Sequence, residues 1–267
     1  MNEIKTHRLA GLLAGLVAAT TLTSAWAAQD LTEEFHRTAP LPAEGRLSVE
    51  NVNGAIRIES WDRAEVKVDA VKHAKTPEAL RDVSIEFNAE ADRVSVRTRY
   101  AREKEDRHNS ARVDYRLMVP RRVRIEKLAC VNGPIDLERV AGEVQVSTVN
   151  GSLKARQFAG SGSFRSVNGG IDIAVSRLDR EQGLSFDTVN GQVEVSLPAN
   201  TKATVNAETV NGSIHSDFDL PITKHRIGRK LEGELNGGGA SIKLHAVNGS
   251  LSLKQTRARE SGDEAAR

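Results

Sequence analysis

The triplet Val-Asn-Gly occurs seven times in this chain, and no other feature limits the fold as tightly. Its asparagines are Asn53, Asn132, Asn150, Asn168, Asn190, Asn211 and Asn248. From Asn132 onward they are 18, 18, 22, 21 and 37 residues apart. Self-similarity at a near-constant period is the signature of a repeat architecture. The flanks repeat as well. Four residues before each Asn stand Val49, Leu128, Val146, Phe164, Phe186, Ala207 and Leu244, all apolar. Three residues after stand Ile56, Ile135, Leu153, Ile171, Val193, Ile214 and Leu251, again all apolar. Five residues after, only Ser216 breaks the apolar series. Alternation of period 2 on both sides of the triplet makes each arm a strand with one buried face.

Asn-Gly turns of this kind suit two architectures. Gly takes positive φ without a Cβ clash and Asn tolerates it, so each triplet could close a hairpin. Alternatively each unit is one coil of a solenoid, with successive coils paired as parallel strands. The solenoid fits better. Its period suits a coil of short strands and corners, and the same triplet recurs in one register, which independent hairpins do not require. Stacking also brings each Asn about 4.8 Å above the last, so the amides can form a hydrogen-bonded ladder. At the far upstream inward position Glu126 replaces an apolar residue, which places the start of the regular stack near Asn132. The expected fold is therefore all-β: a β-helix-like solenoid over residues 129–254, preceded by a longer-stranded antiparallel region over 45–128. Residues 47–58 form a first, isolated copy of the repeat within that region.

The remaining segments divide simply. Residues 1–27 read as a signal peptide: Lys5, His7 and Arg8 precede an uncharged apolar run, Leu9 to Thr23, and Ala25-Trp26-Ala27 offers a small-x-small cleavage site. The run is shorter than the roughly 20 residues a membrane span needs. No second long apolar run follows, so no transmembrane segment is expected after cleavage. Residues 28–44, with Pro40 and Pro42, read as a linker. Residues 64–72, 82–89, 92–100 and 112–119 alternate as strands, Thr76-Pro77 reads as a helix start, and 101–111 as a charged loop. Residues 255–267 read as a disordered charged tail.

Chemistry-bearing motifs are sparse. Without residues 1–27 the chain carries 36 basic and 35 acidic side chains, a balance that excludes the basic face of a nucleic-acid binder. Arg121, Arg122 and Arg124 form a short basic run, read as a solvated strand face. The seven His show no metal-ligand spacing. Cys130 is the sole cysteine, so no internal disulfide forms; it reads as a small buried residue two places before Asn132. Gly160-Ser161-Gly162-Ser163 lacks the strand–elbow–helix context of a hydrolase nucleophile. Gly237-Gly238-Gly239 precedes a strand and reads as a turn rather than a phosphate loop. Asp136, Asp172, Glu194 and His215 share one outward repeat position with Arg57, Lys154 and Ser252, giving either a ligand-binding acidic stripe or a solvated face of mixed sign. No catalytic, cofactor-binding or metal-ligating residue is assigned.

The leader, the Val-Asn-Gly-x-Ile-x-Ile units, Ser60-Trp61-Asp62 and the strand after Gly237-Gly238-Gly239 resemble the DUF4097, or "putative adhesin", family over roughly residues 45–254. That resemblance implies a β-solenoid, a cell-envelope address and no established catalytic residues. The expectation is a non-catalytic exported binding or scaffold module, periplasmic rather than extracellular or surface-held, with envelope proteins or polysaccharide as partners. The alternatives are a polysaccharide-active β-helix enzyme and an envelope-stress regulator working through protein contacts.

Overall fold

The computed structural model describes residues 30–101, 111–224 and 228–256. The expected leader (1–27) and most of the expected tail (255–267) lie outside the described residues, as do 102–110 of the charged loop. The first strands are β1 (Leu31–Pro40), β2 (Arg46–Asn53), β3 (Ile56–Trp61), β4 (Glu65–Ala74), β5 (Val83–Ala89), β6 (Arg93–Tyr100) and β7 (Arg112–Pro120). Next come β8 (Arg124–Asn132), β9 (Ile135–Glu138), β10 (Ala141–Asn150), β11 (Leu153–Asn168), β12 (Ile171–Arg177), β13 (Gly183–Asn190) and β14 (Val193–Pro198). The last are β15 (Ala203–Asn211), β16 (Ile214–Ser216), β17 (Ile222–Lys224), β18 (Arg229–Leu235), β19 (Ala240–Asn248) and β20 (Leu251–Thr256). Among the described residues there is a single short helix, α1 (Pro77–Arg81), which starts where the sequence predicts, with Thr76 Oγ1 accepting the Ala79 amide at 3.1 Å.

The solenoid is present. Strands ending at an Asn form one face, extended at its ends by β5, β6, β18 and β17, in the order β5-β6-β2-β8-β10-β11-β13-β19-β15-β18-β17. Strands beginning after the Gly form the other, extended at one end by β7, β4 and β1, in the order β1-β4-β7-β3-β9-β11-β12-β14-β20-β16. β11 runs through the far corner and serves both faces. Within each face the coils pair in parallel and in register at the triplet: Asn53↔Asn132, Asn132↔Asn150, Asn150↔Asn168 and Asn168↔Asn190. Inward residues from the two faces meet in one continuous apolar core. Phe164 and Phe186 stack there with ring centroids 5.4 Å apart, and Phe158 meets Phe164 edge-on at 5.6 Å. Each fully buried Leu, Ile or Val stabilises by about 1.5–3 kcal/mol before chain entropy is subtracted.

Four expectations need correction. The predicted linker is partly a strand: β1 pairs antiparallel with β4 along its whole length, from Leu31↔Ala74 to Pro40↔Glu65. Its side chains are mostly exposed, so it carries no amphipathic signal; backbone pairing holds it, joined by Phe35 packed against the core and by Glu33–Lys72 and His36–Asp69 pairs at 2.7 Å. The first repeat copy is not isolated. β2 pairs with β8 and β3 with β9 across 79 residues of sequence, so the antiparallel region is the solenoid's end cap, not a separate body. The pairs β4–β7 and β5–β6 are antiparallel as expected, yet β6 and β7 join β2 and β3 in parallel. Glu126 does not mark a break in the stack. A bulge in β8 turns Ile125 inward, opposite Leu47 and Val144, and leaves the carboxylate outside. Finally, spatial order departs from chain order: the coil of Asn248 lies between those of Asn190 and Asn211. β18 then folds back antiparallel on β15 and covers that end, which accounts for the 37-residue gap.

Candidate functional site

The corner column is the most regular surface of the molecule. Each Asn Nδ2 donates to the Oδ1 of the Asn on the coil before it in space. The distances are 2.8 Å (Asn132 to Asn53), 2.8 Å (Asn150 to Asn132), 3.0 Å (Asn168 to Asn150), 2.9 Å (Asn190 to Asn168), 3.0 Å (Asn248 to Asn190) and 3.0 Å (Asn211 to Asn248). None of these asparagines has positive φ, so stacking and not turn strain selects them. The glycines are also explained by stacking. A Cβ on Gly151 would lie 2.0 Å from the Gly133 carbonyl oxygen, and one on Gly249 would lie 1.7 Å from that of Gly191. No side chain fits between coils there.

Two residues before every Asn except Asn248, which has Ala246 there, a buried hydrogen-bonding group reaches across to a neighbouring coil. The hydroxyls of Thr148, Ser166, Thr188 and Thr209 donate to the carbonyls of Gly133, Gly151, Gly169 and Gly249 at 2.8–3.4 Å. Cys130 does the same through Sγ to Gly54 at 3.3 Å. Burial pushes its thiol up to about 11, which suits a structural group and not a nucleophile. The sequence reading of a small buried residue thus holds, and the hydrogen bond adds the reason why Thr and Ser share the position.

The predicted acidic stripe is a row of mixed sign. On the downstream face the order is Arg57, Asp136, Lys154, Asp172, Glu194, Ser252, His215, with Ser252 placed between Glu194 and His215 by the out-of-order coil. Asp136 lies 3.8 Å from Arg57, and Glu194 is bound by Lys254 at 2.8 Å. The basic run is likewise neutralised: Arg121 pairs with Asp62, Arg122 with Glu44 and Arg124 with Glu143. Gly160-Ser161-Gly162-Ser163 lies inside β11, and Gly237-Gly238-Gly239 forms the turn before β19. Among the described residues no three His, Cys, Asp or Glu side chains gather as a metal site. No described helix is long and apolar enough to cross a membrane.

A different surface stands out on the upstream face. The Val of every triplet points outward. Val131, Val149, Val167, Val189 and Val210 are 36–41% exposed, and Val52 and Val247 continue the row at intermediate burial. Beside this ridge runs a shallow groove of about 680 Å³, floored near its middle by Ala129 and Ser147 and bounded by Arg97, Lys127, Arg165 and Asp187. The sequence did carry a signal for it. Alternation places the residue before each Asn on the solvent side, yet seven of seven are Val there. A contiguous exposed apolar row is uncommon on a monomer and marks an interaction surface.

The chain is similar to the crystal structure of a "putative cell adhesion protein" from Clostridium sporogenes, at 12% identity and a TM-score of 0.47, covering 84% of this chain and 100% of that one. It is also similar to that of a "putative adhesin" from Bacteroides fragilis, at 12% identity and a TM-score of 0.42, covering 84% and 97%. No curated protein matches it in sequence. The family model that does match, Toastrack DUF4097, spans residues 123–254. The parallel, Asn-laddered coils are the part of the chain that is similar to this family.

Proposed function

We propose that this chain is an exported, non-catalytic binding module of the bacterial cell envelope, engaging its partner through the valine ridge and the groove beside it. The ridge carries the reading: an apolar side chain is retained on the solvent side of every coil, where solubility alone favours polar residues. Interaction surfaces retain such residues; a sheet that only has to stay soluble does not. The charges on both faces are distributed as ion pairs rather than converging on one point, which supports binding over acid–base chemistry. Aromatic platforms for sugar rings are lacking among the ridge and groove residues, which favours a protein partner over a polysaccharide. The basic start, apolar run and Ala25-Trp26-Ala27 of the sequence support export, with the periplasm as destination.

Expression in a Gram-negative host with N-terminal sequencing of the osmotic-shock fraction tests the address; the expected first residue is Ala28. Co-sedimentation with purified envelopes tests the surface. Wild type is expected to pellet, Val149→Glu to remain in solution, and Lys154→Glu on the opposite face to behave as wild type. Equal pelleting of all three overturns the ridge as the surface that engages the envelope. Release of sugar products from envelope polysaccharides overturns the non-catalytic reading.

A further inference from the structure

The outward rows of the upstream face are complementary to themselves when read backward, and we propose that the ridge binds a second copy of this chain. The proposal rests on the ridge being a binding surface and adds the identity of the partner. Three residues before the Asn, the row reads in space Glu86, Arg97, Glu50, Ala129, Ser147, Arg165, Asp187, His245, Glu208, Lys230. Two copies meeting face to face about a two-fold axis along the strands, centred between the coils of Asn150 and Asn168, reverse this order against itself. Glu86 then faces Lys230, Arg97 faces Glu208, and Glu50 faces His245. The two hollows, Ala129 and Ser147, face the two projections, Asp187 and Arg165, which are joined in one chain at 3.6 Å. The valine row meets itself, Val149 against Val167 and Val131 against Val189.

Charge selects this register over its neighbours. A shift by one coil in one direction sets Glu50 against Asp187 and Arg97 against His245. The opposite shift sets Glu50 against Glu208 and Arg165 against itself. Like charges brought together suppress wrong pairings. Complementary reversal of one row about one point is what an isologous interface requires. The area suffices as well. Ten strands spaced about 4.8 Å give a patch roughly 40 Å long and roughly 18 Å wide, or roughly 700 Å² per copy, close to the roughly 800 Å² of a standard interface.

Sedimentation velocity on the full chain without its leader is expected to give a concentration-dependent dimer. Val149→Glu is expected to raise the dissociation constant about tenfold or more, because it puts a carboxylate in the apolar centre. Lys154→Glu should leave it unchanged. Ala129→Cys mixed with Asp187→Cys should form an intermolecular disulfide on mild oxidation, and neither variant alone should do so, buried Cys130 serving as the internal control. This readout fixes the register independently of any destabilised variant. A monomer at every concentration, or a dimer indifferent to Val149→Glu, overturns the proposal. A monomer whose envelope binding still fails with Val149→Glu overturns the second copy alone and leaves the ridge standing; loss of both effects removes the two together.

Discussion

The coils of Asn132, Asn150 and Asn168 follow one another both along the chain and in space. The last two do not. From the Asn190 coil the chain skips one place, lays down β15, turns back through β18, and only then inserts β19 and β20 into the gap. The serial part owes its order to chain connectivity, since the next coil is the nearest one available. The interleaved part is ordered by fit. Asn248 hydrogen-bonds Asn190 on one side and Asn211 on the other, and Leu244 lies between Phe186 and Ala207. Identical corners make the two arrangements chemically interchangeable, so side-chain volume inside the coil decides between them. A large Phe186 beside a small Ala207 would leave a void that Leu244 bridges.

This contrast can be broken by removing the interleaved coil. A chain ending at Gly239 lacks β19 and β20 and is expected to lose cooperative unfolding, because the Asn190 and Asn211 coils then face each other across an empty place. Circular dichroism melts read this, and a retained sharp transition would show that β15 can close the gap on its own. Gly249→Ala and Gly151→Ala compare the same corner in the two parts. Each puts a Cβ within 2.0 Å of a carbonyl oxygen, and each is expected to cost about 3 kcal/mol in urea denaturation. Gly170→Ala, whose nearest neighbour lies at 3.5 Å, should stay within about 0.5 kcal/mol. Asn248→Ala breaks two ladder bonds and is expected to cost about 1–2 kcal/mol, against about half that for terminal Asn211→Ala; equal costs would mean that the ladder bonds do not set the loss.

A pH dependence concerns Cys130. Its folded thiol ionises near 11 because it is buried, while an unfolded thiol ionises near 9. The unfolded chain alone therefore loses the proton between those values. The resulting stability is complete below about pH 9 and is lost as pH rises toward 11. Iodoacetamide at pH 9 is expected to leave the folded chain unmodified and to label it on addition of urea, read by mass spectrometry.

Much of this architecture was legible before any coordinates. The apolar positions at four before and at three and five after each Asn predicted the strands, the solenoid and the ladder, because a stack in register repeats its chemistry at each level. The turn residues were recognised for a reason that proved secondary. Gly is there to admit a neighbouring carbonyl, a contact no single repeat contains. β1 escaped because its outward residues show no period. The valine ridge could have been found, since an apolar residue on the solvent side of every repeat is visible in the alternation itself.

The sequence by itself determined the repeat, its register and the absence of any disulfide, because these follow from local periodicity and residue type. Tertiary structure alone decided which coil lies on which. That Asn53 reaches Asn132, that Asn248 separates Asn190 from Asn211, and that Ser252 lies between Glu194 and His215 all follow from contacts between residues distant in the chain. Corners of one chemistry can pair in many orders, and the energy that selects among them resides in how unlike side chains fill a shared interior.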